Sequence, residues 1–499
     1  MLNSNAKMVK AKSNFVLIIL AIAFAFILLL LSPVKAEQAK HYTDLKLPPL
    51  PEIKIPDYTR YQLDNGLTVF LMEDRELPLV SGQAFIKTGD RLEPGDQVGL
   101  ANIMGEVMRS GGSKSHPAEQ MNELLELRAA AVESSVDSDV GSVSFTALSE
   151  DLPEVFGLFA EVLREPIFPQ DKIDLAKNQR RGAISRRNDD PNEIAGREFQ
   201  KLIYGSESPY ARTIEYQHLD NISRQDLLKF YQAYFHPNNI ILGIVGDFNS
   251  QEMRSLIEQQ LGNWKPNPNV AAINQSPPVL ANPAKPGGIF FVNQPQLTQS
   301  YVQMGHLGGQ LDSPDYTALS VLNGVLNGFG GRMFNKVRSE KGLAYSVYAY
   351  WSPRFDYPGI FLAGGQTRSE ATVAFIQAVF SEIEQIRREP ITQTELNYAK
   401  DSTLNSFVFN FQSPGQTLSR LMRYEYYNYP QDFIFQYQNG VEATTIADVQ
   451  RVAEQYLQPD KIVTLVVGND PAIQPPLSSL NPTNNVNSID ISIPEPQRS

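Results

Sequence analysis

The chain has 499 residues, of which 42% are hydrophobic and 20% are charged, and its formal net charge is −12. This length allows two or more ordinary hydrophobic cores, and the acidic balance argues against nucleic acid or an anionic membrane as the main partner. The sequence contains no cysteine, which excludes disulfides, zinc bound by cysteine and catalysis by a thiol.

The first 36 residues are typical of an export signal. Three lysines precede an uncharged apolar run over residues 15–31, and Ser32-Pro33 then leads to the small residues Val34 and Ala36. We expect cleavage after Ala36 and an exported, periplasmic or extracellular mature protein. Its net charge would change from −12 to −16, because the segment carries four lysines and no acidic residue. The alternative is a membrane anchor through residues 15–31, a run that is long for a signal and short for a span.

Hydrophobic periodicity predicts a first half over residues 57–264, after a Pro-rich lead-in over 37–56. An Asn65-Gly66 hairpin signal opens this half. The predicted strands then cover 80–88, 142–147 and 240–245, and the predicted helices cover 98–109, 151–164 and 171–187. Residues 265–286 contain six prolines and predict an extended linker.

A second half over residues 287–470 repeats this order. Its predicted strands cover 289–292, 300–304, 344–350 and 462–467, and its predicted helices cover 316–326, 370–387 and 394–410. The last residues, 471–499, are rich in Pro, Asn and Ser, a composition that predicts a disordered tail.

The two halves also repeat each other residue by residue, which indicates a duplicated domain. The run Arg164-Glu165-Pro166-Ile167 returns 224 positions later as Arg388-Glu389-Pro390-Ile391. Five further landmarks return 222 positions later: Tyr234, Pro237, Ile240, Val245 and Gly246 recur as Tyr456, Pro459, Ile462, Val467 and Gly468. A period of this length gives each unit its own core. We therefore predict an α+β fold, with two homologous α+β sandwich domains that are related by duplication and face each other across a cavity.

The Asn-Gly-Leu-Thr-Val start at Asn65, the order of elements and the duplication resemble the pitrilysin/insulinase peptidase family, in particular its short members related to mitochondrial processing peptidase. The resemblance covers about residues 57–470. The zinc helix of that family carries Gly-Leu-Ala-His-x-x-Glu-His, in which the two His bind Zn²⁺ and the Glu takes a proton from the bound water. Here Asn102 and Glu106 stand at the two ligand positions, and Gly105 stands at the position of the base.

The family's third zinc ligand is a Glu on a later helix, and by resemblance its position falls on Gly182 and Ala183. The resemblance therefore implies a degenerate metal site, and we expect the chain to bind no zinc of its own. The histidines offer no replacement, because their spacing is not that of metal ligands; they are His41, His116, His218, His236 and His306. We expect His236 and His306 to be structural.

The second half carries a positive signal. The run from Phe329 to Val347 is close to the family's second signature, in which an Arg and a Tyr seven residues later reach the substrate. The resemblance assigns these roles to Arg338 and Tyr345. A guanidinium can bind a peptide carbonyl, and a phenol can stabilise an oxyanion. The alternative is that Arg338 pairs with Glu340 on the surface and Tyr345 is one aromatic residue of a strand.

Members of this family occur as pairs in which one chain carries zinc and the other carries the Arg and Tyr, and this chain resembles the second kind. We therefore predict the substrate-clamping subunit of an exported heteromeric metallopeptidase, inactive alone and paired with a zinc-bearing insulinase-like subunit. Peptide is the expected substrate, zinc is expected only in the partner, and membrane contact is expected only if the signal is retained. The alternative is a catalytically inert scaffold or a peptide-binding chaperone of the same fold.

Overall fold

Two six-stranded mixed sheets with matching strand orders organise the fold. The structure is a computed structural model that describes residues 53–270, 287–480 and 485–495. The predicted signal over 1–36, residues 37–52 of the lead-in and residues 271–286 of the linker lie outside the described residues. Residues from Ile53 onward form one unit.

In chain order the strands are β1 (Thr59–Gln62), β2 (Thr68–Glu73), β3 (Leu79–Ile86), β4 (Ala131–Val136), β5 (Gly141–Leu148), β6 (Ile240–Gly246), β7 (Gly288–Asn293), β8 (Gln299–Leu307), β9 (Ser346–Ser352), β10 (Ile360–Arg368), β11 (Val463–Gly468) and β12 (Val486–Ser488).

The helices of the first half are α1 (Leu100–Ser110), α2 (Ala118–Glu126), α3 (Leu152–Arg164), α4 (Gln170–Arg186), α5 (Pro191–Tyr204), α6 (Tyr216–Asn221), α7 (Arg224–Tyr234) and α8 (Ser250–Leu261). Those of the second half are α9 (Tyr316–Leu326), α10 (Thr372–Arg388), α11 (Gln393–Val408), α12 (Pro414–Tyr426), α13 (Phe433–Ala443) and α14 (Ile446–Tyr456), and a π-helix covers Met333–Glu340. Within the described ranges, no helix has the length and apolar character needed to cross a bilayer.

The strand orders show that the duplication extends to topology. The first sheet has the order β1-β2-β6-β3-β5-β4 and the second β12-β7-β11-β8-β10-β9. β2 runs parallel to β6 as β7 does to β11, and the neighbouring pairs from β6 to β4 and from β11 to β9 are antiparallel. Strands β2–β6 therefore correspond to β7–β11, and the predicted α+β fold with two similar halves is confirmed.

Most predicted elements lie within about three residues of the observed ones, but several observed helices were not predicted: α2, α5, α6, α7, α8, α12, α13 and α14. Two of these, α5 and α12, begin with Pro at the first position, after a capping side chain. Asp190 accepts a hydrogen bond from the Asn192 N–H, and Ser413 accepts one from the Gln416 N–H. An Asp-Pro or Ser-Pro start is thus the sequence signal for both helices.

Helices α5 and α12 join the two halves, because each packs on the sheet of the other half. Phe199 of α5 is buried in one cluster with Leu465 of the second sheet. Leu418 of α12 is buried in another cluster with Phe70 of the first sheet. Each sheet is therefore covered on one face by helices of its own half and on the other by a helix from the opposite half. A cavity of about 220 Å³ is left between α12 and the first sheet.

The prediction of a disordered tail over 471–499 is wrong for the described residues of that tail. β12 pairs in parallel with β7, and the Ile489 N–H donates to the Phe291 carbonyl at 2.8 Å. The composition of the tail gives no information about β7, whose unpaired backbone groups let a short strand add to the edge of the sheet.

Because the two halves exchange helices, shortening one side chain at this contact should strongly lower the free energy of unfolding. Phe199→Ala should lower the free energy of unfolding by about 3–5 kcal/mol, because this ring is 1% exposed and lies between α5 and the second sheet. The matched control is Gln200→Ala on the exposed side of the same helix, which should stay within about 0.5 kcal/mol of the wild type. Denaturant unfolding measures both, and equal effects would show that α5 does not hold the halves together.

Candidate functional site

Helix α1 carries the degenerate zinc positions, and a buried carboxylate holds its first turn. Gly99 precedes the helix with φ 99°, a left-handed conformation that suits glycine. The Gly99 N–H donates to Glu93 Oε1 at 2.8 Å, and the Ala101 N–H donates to Glu93 Oε2 at 2.9 Å. Burial raises the pKa of Glu93 to about 7, although these two hydrogen bonds favour the charged form. The pKa of the neighbouring Asp90 is also raised by burial.

The first ligand position, Asn102, serves to attach α1 to the edge strand β4. Its Nδ2 donates to the Val136 carbonyl at 2.8 Å and to Asp90 Oδ2 at 3.4 Å. About two helical turns further along, Arg109 Nε donates to the Val132 carbonyl at 2.8 Å. Helix α1 is therefore hydrogen-bonded along the backbone of β4.

The base position, Gly105, has no room for a side chain. A Cβ atom added there would lie 2.5 Å from the Val136 nitrogen and 2.8 Å from the Ser135 carbonyl carbon. Ser134 Oγ also donates to the Gly105 carbonyl at 2.5 Å. Because strand backbone cannot yield as a flexible side chain can, no proton acceptor fits at this position without a shift of β4.

The second ligand position, Glu106, is occupied by an ion pair. Arg180 Nη2 on α4 lies 2.8 Å from Glu106 Oε2, so a cation from the chain itself sits beside this carboxylate. Neither Gly182 nor Ala183, at the expected third ligand position, has a side-chain atom that can bind a metal. Ala183 is exposed, and a Cβ added at Gly182 would meet no atom within 4 Å.

Zinc does not fit this set of residues. One amide and one carboxylate that is paired with Arg180 replace the two histidines, and the third position has no donor atom. Across residues 53–270, 287–480 and 485–495, no group of three or more His, Cys, Asp or Glu side chains could hold a metal ion.

A cavity of about 360 Å³ lies beside the closed metal position. Its lining includes Asn102 and Arg180, together with Asp90, Arg197 and Arg212. Sequence analysis missed Glu93 and Arg180, which hold α1 at its start and its middle. The run between 175 and 188, which is rich in arginine and free of acidic residues, was the available signal for a basic partner of Glu106.

The structure brings Arg338 and Tyr345 together at the surface of the second half. Arg338 lies near the end of the π-helix, Gly342 follows with φ 62°, and Tyr345 directly precedes β9. The guanidinium carbon of Arg338 is 5.5 Å from the centre of the Tyr345 ring and 5.0 Å from that of Phe334. Tyr345 is 74% exposed. The two polar groups can therefore reach one bound peptide group.

The alternative surface pairing of Arg338 differs from what is observed. Glu340 pairs instead with Lys336, at 2.8 Å. Arg338 contacts aromatic rings, and such cation–π contacts leave guanidinium N–H groups available at the ring edges.

Backbone contacts hold the strand that follows Tyr345. The Tyr345 N–H donates to the Gln366 carbonyl at 3.1 Å. On the outer edge of β9, the amide of Asn323 bonds to both backbone groups of Trp351, at 2.7 and 2.8 Å, and the amide of Asn327 bonds in the same way to Ala349. Helix α9 therefore fixes β9.

A loop bound to Tyr398 presents Phe329 beside this pair. Phe329 is 82% exposed, and its ring meets that of Phe334 edge to face at 5.1 Å. The Gly330 N–H donates to the Tyr398 hydroxyl at 2.9 Å, and Gly328 adopts φ 78°. We call Phe329, Phe334, Arg338 and Tyr345 the aromatic–arginine row.

Backbone groups contact both ring nitrogens of His306 and one ring nitrogen of His236. His306 Nδ1 lies 2.8 Å from the Leu307 carbonyl, and the Gln458 N–H donates to its Nε2 at 3.2 Å. His236 Nε2 lies 2.7 Å from the Gln232 carbonyl. Burial lowers the pKa of His306.

Two family profiles match the chain and together cover more than half of it. The profile described as "Insulinase (Peptidase family M16)" matches residues 69–210, and the one described as "Peptidase M16 inactive domain" matches residues 221–403. The chain belongs to the insulinase (peptidase M16) family. The first match contains the degenerate metal positions of this M16 chain, and the second contains Arg338 and Tyr345.

Relatives of this M16 chain carry different descriptions. "Uncharacterized zinc protease YmxG" of Bacillus subtilis is 22% identical over 83% of this chain and 99% of that protein. "Non-peptidase homolog YmxG" of Helicobacter pylori is 22% identical over 80% of this chain and 91% of that protein. At the same identity to this chain, one relative is thus described as a protease and the other as a non-peptidase.

Solved structures share the fold. A "peptidase M16 inactive domain" from Pseudomonas fluorescens superposes with a TM-score of 0.72 at 25% identity, over 84% of this chain and 100% of that one. The periplasmic protease PqqL of Escherichia coli superposes with a TM-score of 0.69 at 17% identity. The match covers 85% of this chain but only 47% of that protein, so this M16 chain spans about half the length of PqqL.

We predict that the purified M16 chain binds no stoichiometric zinc, and that restoring the family's residue types does not restore binding. The variant Asn102→His/Gly105→Glu/Glu106→His/Ala183→Glu should remain free of zinc and unfold at lower denaturant, because a side chain at position 105 meets the backbone of β4. The same variant with Gly105 retained is the control and should be the more stable of the two. Elemental analysis that finds about one zinc per chain in the wild type or in the fourfold variant would contradict the closed site.

Stability near neutral pH should depend on Glu93. Because folding raises its pKa from 4.5 to about 7, the unfolded chain releases this proton at a lower pH than the folded chain does. As the pH rises from about 4.5 to 7, the free energy of unfolding should therefore fall, by up to about 1.4 kcal/mol per pH unit from this group. Glu93→Gln should flatten the fall in denaturant unfolding, whereas Glu119→Gln, at an exposed position on α2, should not. Equal slopes in the two variants would refute a role for Glu93.

Proposed function

We propose that this M16 chain is the subunit of a two-chain peptidase that holds the peptide substrate, while a zinc-bearing M16 partner chain supplies the metal. The observation that carries the proposal is the contrast between the two halves. In the first half, Gly105 and the Glu106–Arg180 pair close the metal position. In the second half, Arg338 and Tyr345 lie exposed and side by side.

The chemistry of the two exposed groups suits a substrate clamp. In the proposed complex, Arg338 donates to a carbonyl oxygen of the bound peptide. Tyr345 donates its O–H to the oxygen that becomes negative when water adds to the scissile carbonyl. Zinc in the partner polarises that carbonyl and lowers the pKa of the attacking water. Phe329 adds an apolar surface for a substrate side chain beside the clamp.

The relatives support a division of labour within the family. The Bacillus protein is described as a zinc protease and the Helicobacter protein as a non-peptidase homolog, at the same identity to this chain. A chain that has lost the metal and kept the Arg and Tyr fits the second description while retaining a use for the fold.

The proposal places the mature protein outside the cytoplasm. The lysines, apolar run and small residues over 1–36 favour an export signal cleaved after Ala36. The periplasmic location named for the Escherichia coli structure is in line with export.

A peptide-binding chaperone or scaffold is the second candidate, and the exposed Phe329 favours it. An 82% exposed ring in a loop that is bound to Tyr398 can bind apolar segments without any hydrolysis. The two candidates differ in one requirement, because only the peptidase needs a zinc-bearing M16 partner.

Mixing this chain with such a partner should generate peptidase activity that neither chain has alone. Tyr345→Phe should lower kcat of the mixture by about 10²–10³, because one oxyanion donor is lost. Arg338→Ala should act mainly by raising KM, because it removes a contact to the bound peptide. Steady-state kinetics on a fluorogenic peptide measures both.

The control is Arg388→Ala, an exposed arginine at the end of α10, which should leave kcat and KM unchanged. Size-exclusion chromatography of each mixture establishes that the two chains still associate. If Tyr345→Phe and Arg338→Ala both assemble and both retain full activity, the clamp is wrong and the scaffold is the better function.

A further inference from the structure

The C-terminal segment over 485–495, here called the strap, crosses from the second half of the molecule to the first. In the second half, β12 pairs with β7. In the first half, Asn188 Nδ2 donates to the Ile491 carbonyl at 2.7 Å, and Ile493 packs against the core that contains α1 and the first sheet. The strap thus contacts both halves.

The strap is an extended segment with apolar residues on its inner side. Ile489, Ile491 and Ile493 are half-buried, whereas Asp490 and Ser492 between them are exposed. This alternation is the period of a β-strand. Ile489 and Ile491 pack on the cluster formed by α5 and the second sheet, so the strap covers the contact through which α5 joins the halves.

The strap also holds the turn from which α5 starts. Asn188 lies in the short connection between α4 and α5, and its Oδ1 accepts a hydrogen bond from Arg197 Nη2 at 2.8 Å. The same Asn188 side chain is bound to the strap. Arg197 lines the cavity beside the closed metal position. The strap is therefore connected to the start of α5 and, through Arg197, to that cavity.

The strap should detach from the protein at a lower free energy than global unfolding requires. β12 has three residues and pairs with one neighbour at the edge of the second sheet. Its isoleucines are only half-buried, so each contributes part of what a core isoleucine contributes. Short edge elements with few buried contacts open locally at low free energy.

We propose that the strap is a detachable clamp that holds the two halves at one angle, and that its release lets them move relative to each other. The strap ties the edge of the second sheet to the turn at Asn188 in the first half. With the strap bound, the turn at the start of α5 is held by the Ile491 carbonyl, and Ile489 and Ile491 cover the contact between α5 and the second sheet. With the strap released, the start of α5 loses the Ile491 contact and the inner isoleucines leave the cluster.

The absence of cysteine allows a direct test. One spin label at Leu127→Cys, 74% exposed in the first half, and one at Glu389→Cys, exposed in the second, report the distance between the halves by pulsed EPR. The intact chain should give one narrow distance distribution. Deletion of residues 485–499 should broaden it, and a synthetic peptide of residues 485–495 should restore it. A distribution that stays narrow after the deletion would overturn the proposal.

A pair of point variants keeps the test decisive if the deletion impairs folding. Ile489→Asp places a charge on the inner side of the strap. Ser488→Asp places the same charge on the neighbouring residue, which is exposed. Ile489→Asp should broaden the distribution as the deletion does, while Ser488→Asp should leave it narrow. Identical distributions in the two variants would also overturn the proposed role of the strap. Neither result depends on any peptidase activity.

Discussion

The exchange of one helix between the two halves is the interaction on which the structure depends. Without α12, Phe70 and Phe85 would face water on the first sheet, and without α5 the second sheet would expose Leu465. Neither half can cover both faces of its own sheet, and burying such apolar surface dominates folding energetics. The linker therefore separates two repeats in the sequence, but the repeats form one structure and should fold as one.

At the position expected for the family's metal, the approach of backbone is a firmer obstacle than the ion pair. The Glu106–Arg180 pair is about one-third exposed on each side, and ion pairs of this exposure contribute little to stability. The contact of Gly105 with the backbone of β4 is different, because it leaves no volume for a side chain. Exchange of the ligand residues alone would not reopen the site. The helix and the strand would have to separate as well.

In both halves an asparagine side chain bonds to the backbone of the outermost strand of the sheet, but the two contacts have different roles. In the first half, Asn102 bonds to the Val136 carbonyl on edge strand β4. In the second half, Asn323 bonds to both backbone groups of Trp351 on edge strand β9. An edge strand satisfied in this way is protected from pairing with other chains. The first contact uses Asn102, at the position expected for a metal ligand of the family, whereas the second fixes the strand that follows Tyr345. The duplicated geometry has thus been kept while the chemistry of the halves has diverged.

The sequence by itself determined the duplication, the α+β class, the order of most strands and of the longest helices, and the residue types at the positions expected for the metal and for the Arg–Tyr pair. These follow from local periodicity and from the chemistry of single residues, which do not depend on distant partners. Only the tertiary structure decided how closely β4 approaches Gly105, which residue pairs with Glu106, and how far Phe329 is exposed. It also decided that α5 and α12 change sides and that the tail adds a strand to β7. Each of these depends on contacts between residues far apart in the chain, where backbone distance and shared burial decide the outcome and local pattern carries no information about either.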